Sequence, residues 1–326
     1  MTKLNVPMAE GEAQAQAHMD AVSTRIREIL ADCPRVMRPM TEHLAQAPGK
    51  MVRAALTFAV TDALGKPFTD ATTDLAAATE ILHLSTLIHD DIIDDAKTRR
   101  GINSLQYQFG KKLAVLSGDY LFTKCFRLMA GRGAERTEDF AKAVSAICAG
   151  EILQYQNNRN TDLTYAQYCK IISGKTAAMF AMAAYAAAVD CGADKLTAER
   201  MGRAGYNMGM AFQIVDDLLD FTGDADKIRK GTHKDLEQGI ITYPLIFAIA
   251  KQLDIKKRLR KKRLTEQDAE AIVAAVQSSG GLEAARAKAK MYRERALNKI
   301  RKITGGDLSR AGWMLAIMDS MINREC

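Results

Sequence analysis

The sequence predicts an all-α protein, a single domain of roughly ten or more helices. Three observations predict it. No proline occurs between Pro67 and Pro244. Aromatic residues make up only 6% of the 326 residues while alanine is abundant. No run alternates polar and apolar residues, and a β-rich chain of this length needs far more turn punctuation than this one carries. Apolar residues at 48% and charged residues at 26% exclude wholesale disorder.

The elements follow in order. Helical segments are expected at Ala9–Ala31, Lys50–Leu64, Ala71–Asp94, Lys111–Ala130 and Glu138–Gln156, then at Tyr165–Val189, Thr197–Phe221 and Ile240–Leu253. The last three are Glu266–Ser278, Leu282–Ile303 and Leu308–Asn323. Within Ala71–Asp94 an apolar run, His83–Ile88, leads into an acidic end, and Met208–Val215 does the same in Thr197–Phe221. The apolar run Ala177–Val189 is too short to span a bilayer and reads as a buried core helix. Leu121–Met129 and Met179–Met182 read mostly as core. Thr265 before Glu266-Gln267-Asp268 reads as an N-cap with an acidic first turn. Gly280-Gly281 and Gly305-Gly306 separate the last helices. No linker or fixed-period repeat appears, so residues 1–326 are expected to form one domain. The polar stretch Gly223–Gly239 is a candidate functional loop.

The net charge of +7 is local. Seven of the eight residues in Lys256–Arg263 are basic, and the remainder of the chain is balanced, which argues against a nucleic-acid footprint. The run reads first as solvated surface, with attraction to anionic lipid as its functional alternative. Cys33, Cys125, Cys148, Cys169, Cys191 and Cys326 form no close pair, which excludes zinc-knuckle and CxxC patterns and suggests a reducing compartment. Met1–Asp20 is polar and mixed rather than a leader, so a cytoplasmic location is expected.

Two segments carry the chemistry. Asp90-Asp91-Ile92-Ile93-Asp94 and Asp216-Asp217-Leu218-Leu219-Asp220 each place carboxylates at i, i+1 and i+4. On a helix, i and i+4 share a face and i+1 lies about 100° round. Three carboxylates on one turn repel one another unless cations neutralise them. Oxygen ligands without Cys or His suit a hard ion, most plausibly Mg²⁺, whose shell is commonly completed by substrate phosphates. The alternative is a solvated acidic helix end, and two copies each followed by basic residues weigh against it. Arg99 and Arg100 follow the first motif, Lys230 and Lys234 the second. Mg²⁺ flanked by Arg and Lys describes a diphosphate leaving group held ready to depart.

At this point the sequence resembles the trans-isoprenyl diphosphate synthases, or polyprenyl synthetases. The resemblance runs from about residue 49 to residue 244. It rests on HDDIIDDAKTRRG (His89–Gly101), GMAFQIVDDLLD (Gly209–Asp220), GDYL (Gly118–Leu121) and Lys175-Thr176 in IISGKTA. It implies an all-α fold around a central cavity, a homodimer, and Mg²⁺, three ions per active site. It also implies the reaction: an allylic diphosphate ionises, isopentenyl diphosphate attacks the cation, and a proton is lost to the departing diphosphate.

The resemblance assigns roles. Asp90, Asp94, Asp216 and Asp220 are the expected Mg²⁺ ligands, with Asp91 and Asp217 as ligands or their supports. Lys175, expected to be catalytic, joins Arg99, Thr176, Gln213, Lys230 and Lys234 on the allylic diphosphate. Lys50, Arg53, His83 and Arg100 would hold isopentenyl diphosphate. Three features depart from the pattern. Pro48-Gly49-Lys50-Met51 stands where the family shows Gly-Gly-Lys-Arg, Ile240 stands where a Lys is frequent, and His83 lies two turns deeper than Asp90. The bland reading of His83 is a core histidine, and that of Lys50 and Arg53 a solvated pair. Leu82, Ser85 and Thr86 lie below Asp90 where the growing chain would run, and the small Ser85 and Thr86 lead to an expected hexaprenyl to octaprenyl product. Phe122, Phe126 and Met179 are further candidates for the tunnel floor. The alternatives are a short-chain farnesyl or geranylgeranyl diphosphate synthase, or the catalytic subunit of a two-component synthase.

Overall fold

The computed structural model describes residues 12–47, 49–222, 234–261 and 264–323. Its α-helices are α1 (Glu12–Ala31), α2 (Arg38–Ala45), α3 (Val52–Ala63), α4 (Asp70–Ile93), α5 (Leu105–Phe109), α6 (Lys111–Ala130), α7 (Ala134–Gln156) and α8 (Tyr165–Ile172). They continue as α9 (Ala178–Asp190), α10 (Lys195–Leu219), α11 (Lys234–Gln238), α12 (Tyr243–Lys251), α13 (Leu253–Leu259), α14 (Glu266–Ser279), α15 (Gly281–Ile303) and α16 (Gly312–Ile322). The sole strands among the described residues are the two-residue arms of a hairpin, β1 (Thr98–Arg99) and β2 (Ile102–Asn103). The fold is all-α, as expected.

Packing divides the chain into two compact units. The first comprises Met1–Lys142, Met182–Gly202 and Ile300–Ile317, and the second Ala143–Ala181, Arg203–Lys299 and Met318–Cys326.

In the first unit α4 is the central element, packed against α1, α3 and α6. A capping box between Thr69 and Thr72 starts it. Phe58, Leu75, Ile81, Leu82 and Leu121 are fully buried around it, each contributing about 1.5–3 kcal/mol of apolar burial. His18, Phe58, Phe68 and Trp313 stack edge and face beside this core. A 3-10 turn (Arg35–Met37) and α2 are additional to the expected helices. Pro39 sits in the first turn of α2, where its missing N–H leaves no helical bond unmade. The hairpin was also unexpected. Arg100 and Gly101 both have positive φ, 53° and 83°, which is the backbone of a two-residue hairpin turn.

The second unit is built on a core that includes Tyr168, Ile172, Ile214, Leu218, Leu245, Ile272 and Val276. The expected helix Tyr165–Val189 is interrupted by one π-type turn, Ser173–Ala177, between α8 and α9. This is the sole stretch among the described residues long and apolar enough to cross a membrane, and 67% of its most apolar window is buried within the protein. The expected helix Ile240–Leu253 starts later, at Tyr243, because Pro244 occupies its first turn. It also breaks at Gln252, whose backbone is extended. Thr265 caps α14 as expected, through a capping box with Asp268.

Candidate functional site

In the first unit the C-terminal turn of α4 carries the first acidic motif. Asp91 faces inward and is 4% exposed, Asp90 is half-buried and Asp94 is exposed. Asp91 is held by Arg99, whose Nε donates to Asp91 Oδ1 at 2.8 Å. Arg99, expected on the allylic diphosphate, therefore reaches back from the hairpin to fix the buried carboxylate.

The hairpin turn places Arg100 over the backbone of Gly49. A Cβ at position 49 would lie 2.7 Å from the guanidinium, so a larger residue there would displace the Arg100 side chain. Arg100 Nη1 donates to the carbonyl of Ala47 at 3.2 Å. Lys50 is exposed and Arg53, at the start of α3, is 8% exposed. Burial pushes Arg53 down to about 10, the charge of Glu80 opposes that shift, and Arg100 adds to it. His83 is held well below the usual histidine range by burial and by the charges of Arg53, Arg100 and Arg99. The depth of His83 on α4 argued against its sharing a site with the arginines, yet those three charges all act on it. At neutral pH it is an uncharged imidazole. Met51 replaces the family's Arg with a left-handed residue, φ 51°, whose sulfur accepts from Ser23 on α1 at 3.6 Å.

The three candidate chain-length positions differ. Leu82 and Ser85 are fully enclosed, and Ser85 Oγ donates to the carbonyl of Gly118 on α6 at 2.8 Å. Thr86 keeps partial exposure and donates to the carbonyl of His83 at 2.9 Å. Of these three, Thr86 alone has surface to offer a growing chain. Phe126 is 39% exposed and Met179 is buried.

In the second unit the C-terminal end of α10 repeats the pattern. Asp216 is exposed, Asp217 is 3% exposed and Asp220 is half-buried. Both oxygens of Asp217 are engaged: Tyr168 Oη donates to Oδ2 at 2.6 Å and Gln213 Nε2 to Oδ1 at 2.7 Å. Burial, with the nearby charge of Asp235, raises Asp217 to about 8. The backbone N–H of Asp235 on α11 donates to Asp220 Oδ2 at 3.2 Å.

Glycines set the third component. At Gly150 on α7 a Cβ would lie 2.3 Å from the backbone nitrogen of Lys175, and at Gly209 on α10 it would lie 2.7 Å from Ala177 Cα. Two helices thus close directly onto the π-type turn. The residue after Gly150, Glu151, meets Lys175 Nζ at 3.2 Å. One turn after Gly209, Gln213 Oε1 accepts from Thr176 Oγ1 at 2.5 Å. Gln213 was expected on the diphosphate. Its amide bridges Thr176 and Asp217. Lys230 lies outside the described residues. Lys234 opens α11. Ile240 donates its N–H to Asp235 O at 2.8 Å.

Glu80, Glu151, Tyr168 and Asp235 were missed in the sequence. Each lies outside the recognisable motifs and meets its partner only through the fold. The run Lys256–Arg263 is also more structured than a solvated patch. Its first half forms α13, pinned by buried Ile255 and Leu259. Lys256 and Arg260 pair with Asp162, Arg258 with Asp254 and Asp268, and Lys261 with Asp268.

No three His, Cys, Asp or Glu side chains converge as a ready metal cage among the described residues. In each motif the middle carboxylate is buried against protein partners, and the flanking pair at i and i+4 remains at the surface. That donor set fits Mg²⁺, which takes one or two carboxylates and completes its shell with water and phosphate oxygens. Asp91 and Asp217, expected as ligands or their supports, are the two whose oxygens already meet protein donors.

Comparison with known proteins agrees. A family model for polyprenyl synthetases matches residues 34–278. The chain is 34% identical over 293 residues to an all-trans-nonaprenyl-diphosphate synthase (geranyl-diphosphate specific) from Rhodobacter capsulatus, covering 88% of this chain and 89% of that one. It is 32% identical over 259 residues to heptaprenyl diphosphate synthase component 2 from Geobacillus stearothermophilus, covering 78% and 80%. The crystal structure of a polyprenyl synthase from Caulobacter crescentus, complexed with calcium and isoprenyl diphosphate, is similar at TM-score 0.87 and 30% identity, covering 98% of this chain and all of that one.

Proposed function

This chain belongs to the polyprenyl synthetase family and is a trans-prenyltransferase, and from that premise we propose how its residues divide the work. The observation that carries the proposal is the repeated motif geometry: in both acidic segments the middle aspartate is locked inward and the outer two are presented. Asp90, Asp94, Asp216 and Asp220 would hold Mg²⁺, at three ions per site. When bound, the metal neutralises the allylic diphosphate and makes it a better leaving group. Lys175, kept in place by Glu151, adds charge to the same group. Thr176, whose hydroxyl proton is directed to Gln213, is held in place beside Lys175 on the same turn.

Isopentenyl diphosphate is assigned to Lys50, Arg53, His83 and Arg100. Like charges crowd these residues, since Arg100 disfavours the charge on Arg53. A bound diphosphate relieves that crowding, so the unfavourable field becomes affinity. His83, neutral, contributes a hydrogen bond and no charge.

The product is proposed to be hexaprenyl to octaprenyl diphosphate, with Thr86 as the first residue below the metals to meet the chain. The protein is proposed to work as a homodimer. The outer side of α6 exposes Leu113, Val115 and Leu116 at 42%, 40% and 59%, apolar surface of the kind that a subunit contact covers. A relative named as a synthase component keeps a second, dissimilar subunit as the other reading. The five described cysteines are unbridged, which supports a cytoplasmic, reducing setting.

One experiment tests the core of this. The purified chain is given Mg²⁺, labelled isopentenyl diphosphate and an allylic primer, and products are resolved by chromatography alongside light scattering of the protein. Chain-elongated diphosphates from a lone dimeric chain are expected. An inactive lone chain that gains activity only with another subunit would replace the homodimer with the two-component reading. No product under any condition would overturn the function.

A further inference from the structure

α3 begins without a cap of its own. Its N-cap residue, Met51, is left-handed and makes no capping side-chain bond. The first N–H groups of any helix have no partner within it, and an uncapped, buried end is costly. Here the partner comes from 26 and 27 residues away. Glu80 Oε1 on α4 accepts from the backbone N–H of Arg53 and from that of Ala54, both at 3.1 Å. Glu80 is 8% exposed. A carboxylate at this end of the helix also meets the positive pole of its dipole.

The position of Glu80 on α4 repeats a device already described. Glu80, Leu84, Leu87 and Asp91 follow helical spacing, and eleven residues return to the same face about 16 Å along the axis. One stripe of α4 therefore carries two buried carboxylates. Asp91 holds Arg99 from behind, and Glu80 holds the turn that bears Arg53. Glu80 also favours the charge on Arg53 and on Arg100.

We propose that Glu80 is a positioning residue for the isopentenyl diphosphate half of the reaction, fixing the first turn of α3 and with it the Arg53 guanidinium. The inference rests on the assignment of Arg53 to that substrate. Glu80 itself is buried behind the backbone it binds and has no part in the chemistry.

The test compares Glu80→Met, which removes the acceptor, with Glu80→Gln, which keeps an acceptor oxygen in place. Steady-state kinetics are measured for each substrate in turn, with thermal melting of each variant. Glu80→Met is expected to raise the KM for isopentenyl diphosphate tenfold or more while the KM for the allylic primer stays within twofold. Glu80→Gln is expected to restore the first value to within threefold of wild type. If Glu80→Met does not fold, Glu80→Asp, which withdraws the carboxylate by one methylene, takes its place with the same expected split. Equal rises in both KM values, or an unchanged KM for isopentenyl diphosphate in a folded variant, would overturn the proposal. A wild-type chain without prenyl transfer would instead remove the functional reading on which it stands.

Discussion

At the scale of single residues, the two members of each adjacent aspartate pair are expected to fail differently when replaced. Asp216 is exposed and Asp217 is buried between Tyr168 and Gln213. Asp216→Ala should cost about a thousandfold or more in turnover with a melting temperature close to wild type. Asp217→Ala strands a buried hydroxyl and a half-buried amide, and should destabilise the fold by about 1–3 kcal/mol. Turnover and denaturant unfolding measured on both variants check the split. A second contrast concerns product length. Thr86→Phe should shorten the product, read by chromatography. Ser85→Phe must force a ring between α4 and the Gly118 carbonyl on α6, and should cost about 1–3 kcal/mol or more through overpacking. The acidic motifs were legible because i, i+1 and i+4 are local spacings that a helix converts directly into faces. The inward lock on the middle aspartate was not legible. Tyr168 lies 49 residues from Asp217, and nothing in either segment names the other.

At the scale of elements, helix existence followed from periodicity and proline placement, while interruptions depended on packing. The π-type turn at Ser173–Ala177 contains Gly174, an isolated helix glycine whose position alone does not announce a change of helix type. It sits where Gly150 and Gly209 let two helices close onto the backbone, a tertiary cause invisible in the local sequence. The basic run shows the same limit. Seven cations in eight residues read as a surface patch, yet most of those described are matched by Asp162, Asp254 and Asp268. Binding to anionic vesicles is therefore expected to be weak even at low salt, and vesicle sedimentation checks it. Strong, salt-sensitive binding would restore the lipid reading. The same pairing makes Asp268 a stability element. Its pKa is depressed below the ordinary aspartate value, first by the hydrogen bond from Lys261. A depressed carboxylate stabilises the fold above its unfolded pKa, and the benefit fades as pH falls. Asp268→Asn should melt a few degrees below wild type at pH 7, and the difference should narrow below about pH 4. Melting curves across that range are the measurement.

For the whole molecule, the expected all-α architecture stands, and the division into two units was not legible because unit boundaries fall inside helices rather than at linkers. The hairpin between the first acidic motif and α5 has a consequence for the protein as an object of selection. Arg100 occupies a left-handed backbone that costs a non-glycine residue about 1–2 kcal/mol, and it crowds its charge against Arg53 and Arg99. The charge penalty vanishes in Arg100→Gly or Arg100→Asn, and the backbone penalty vanishes with glycine and eases with asparagine. Each variant is expected to melt at or above the wild-type temperature and to lose most of its affinity for isopentenyl diphosphate, as scanning calorimetry paired with substrate titration will show. A mutant library of this chain sorted for heat resistance alone would be drawn to position 100, and the survivors it favoured there would be poor enzymes.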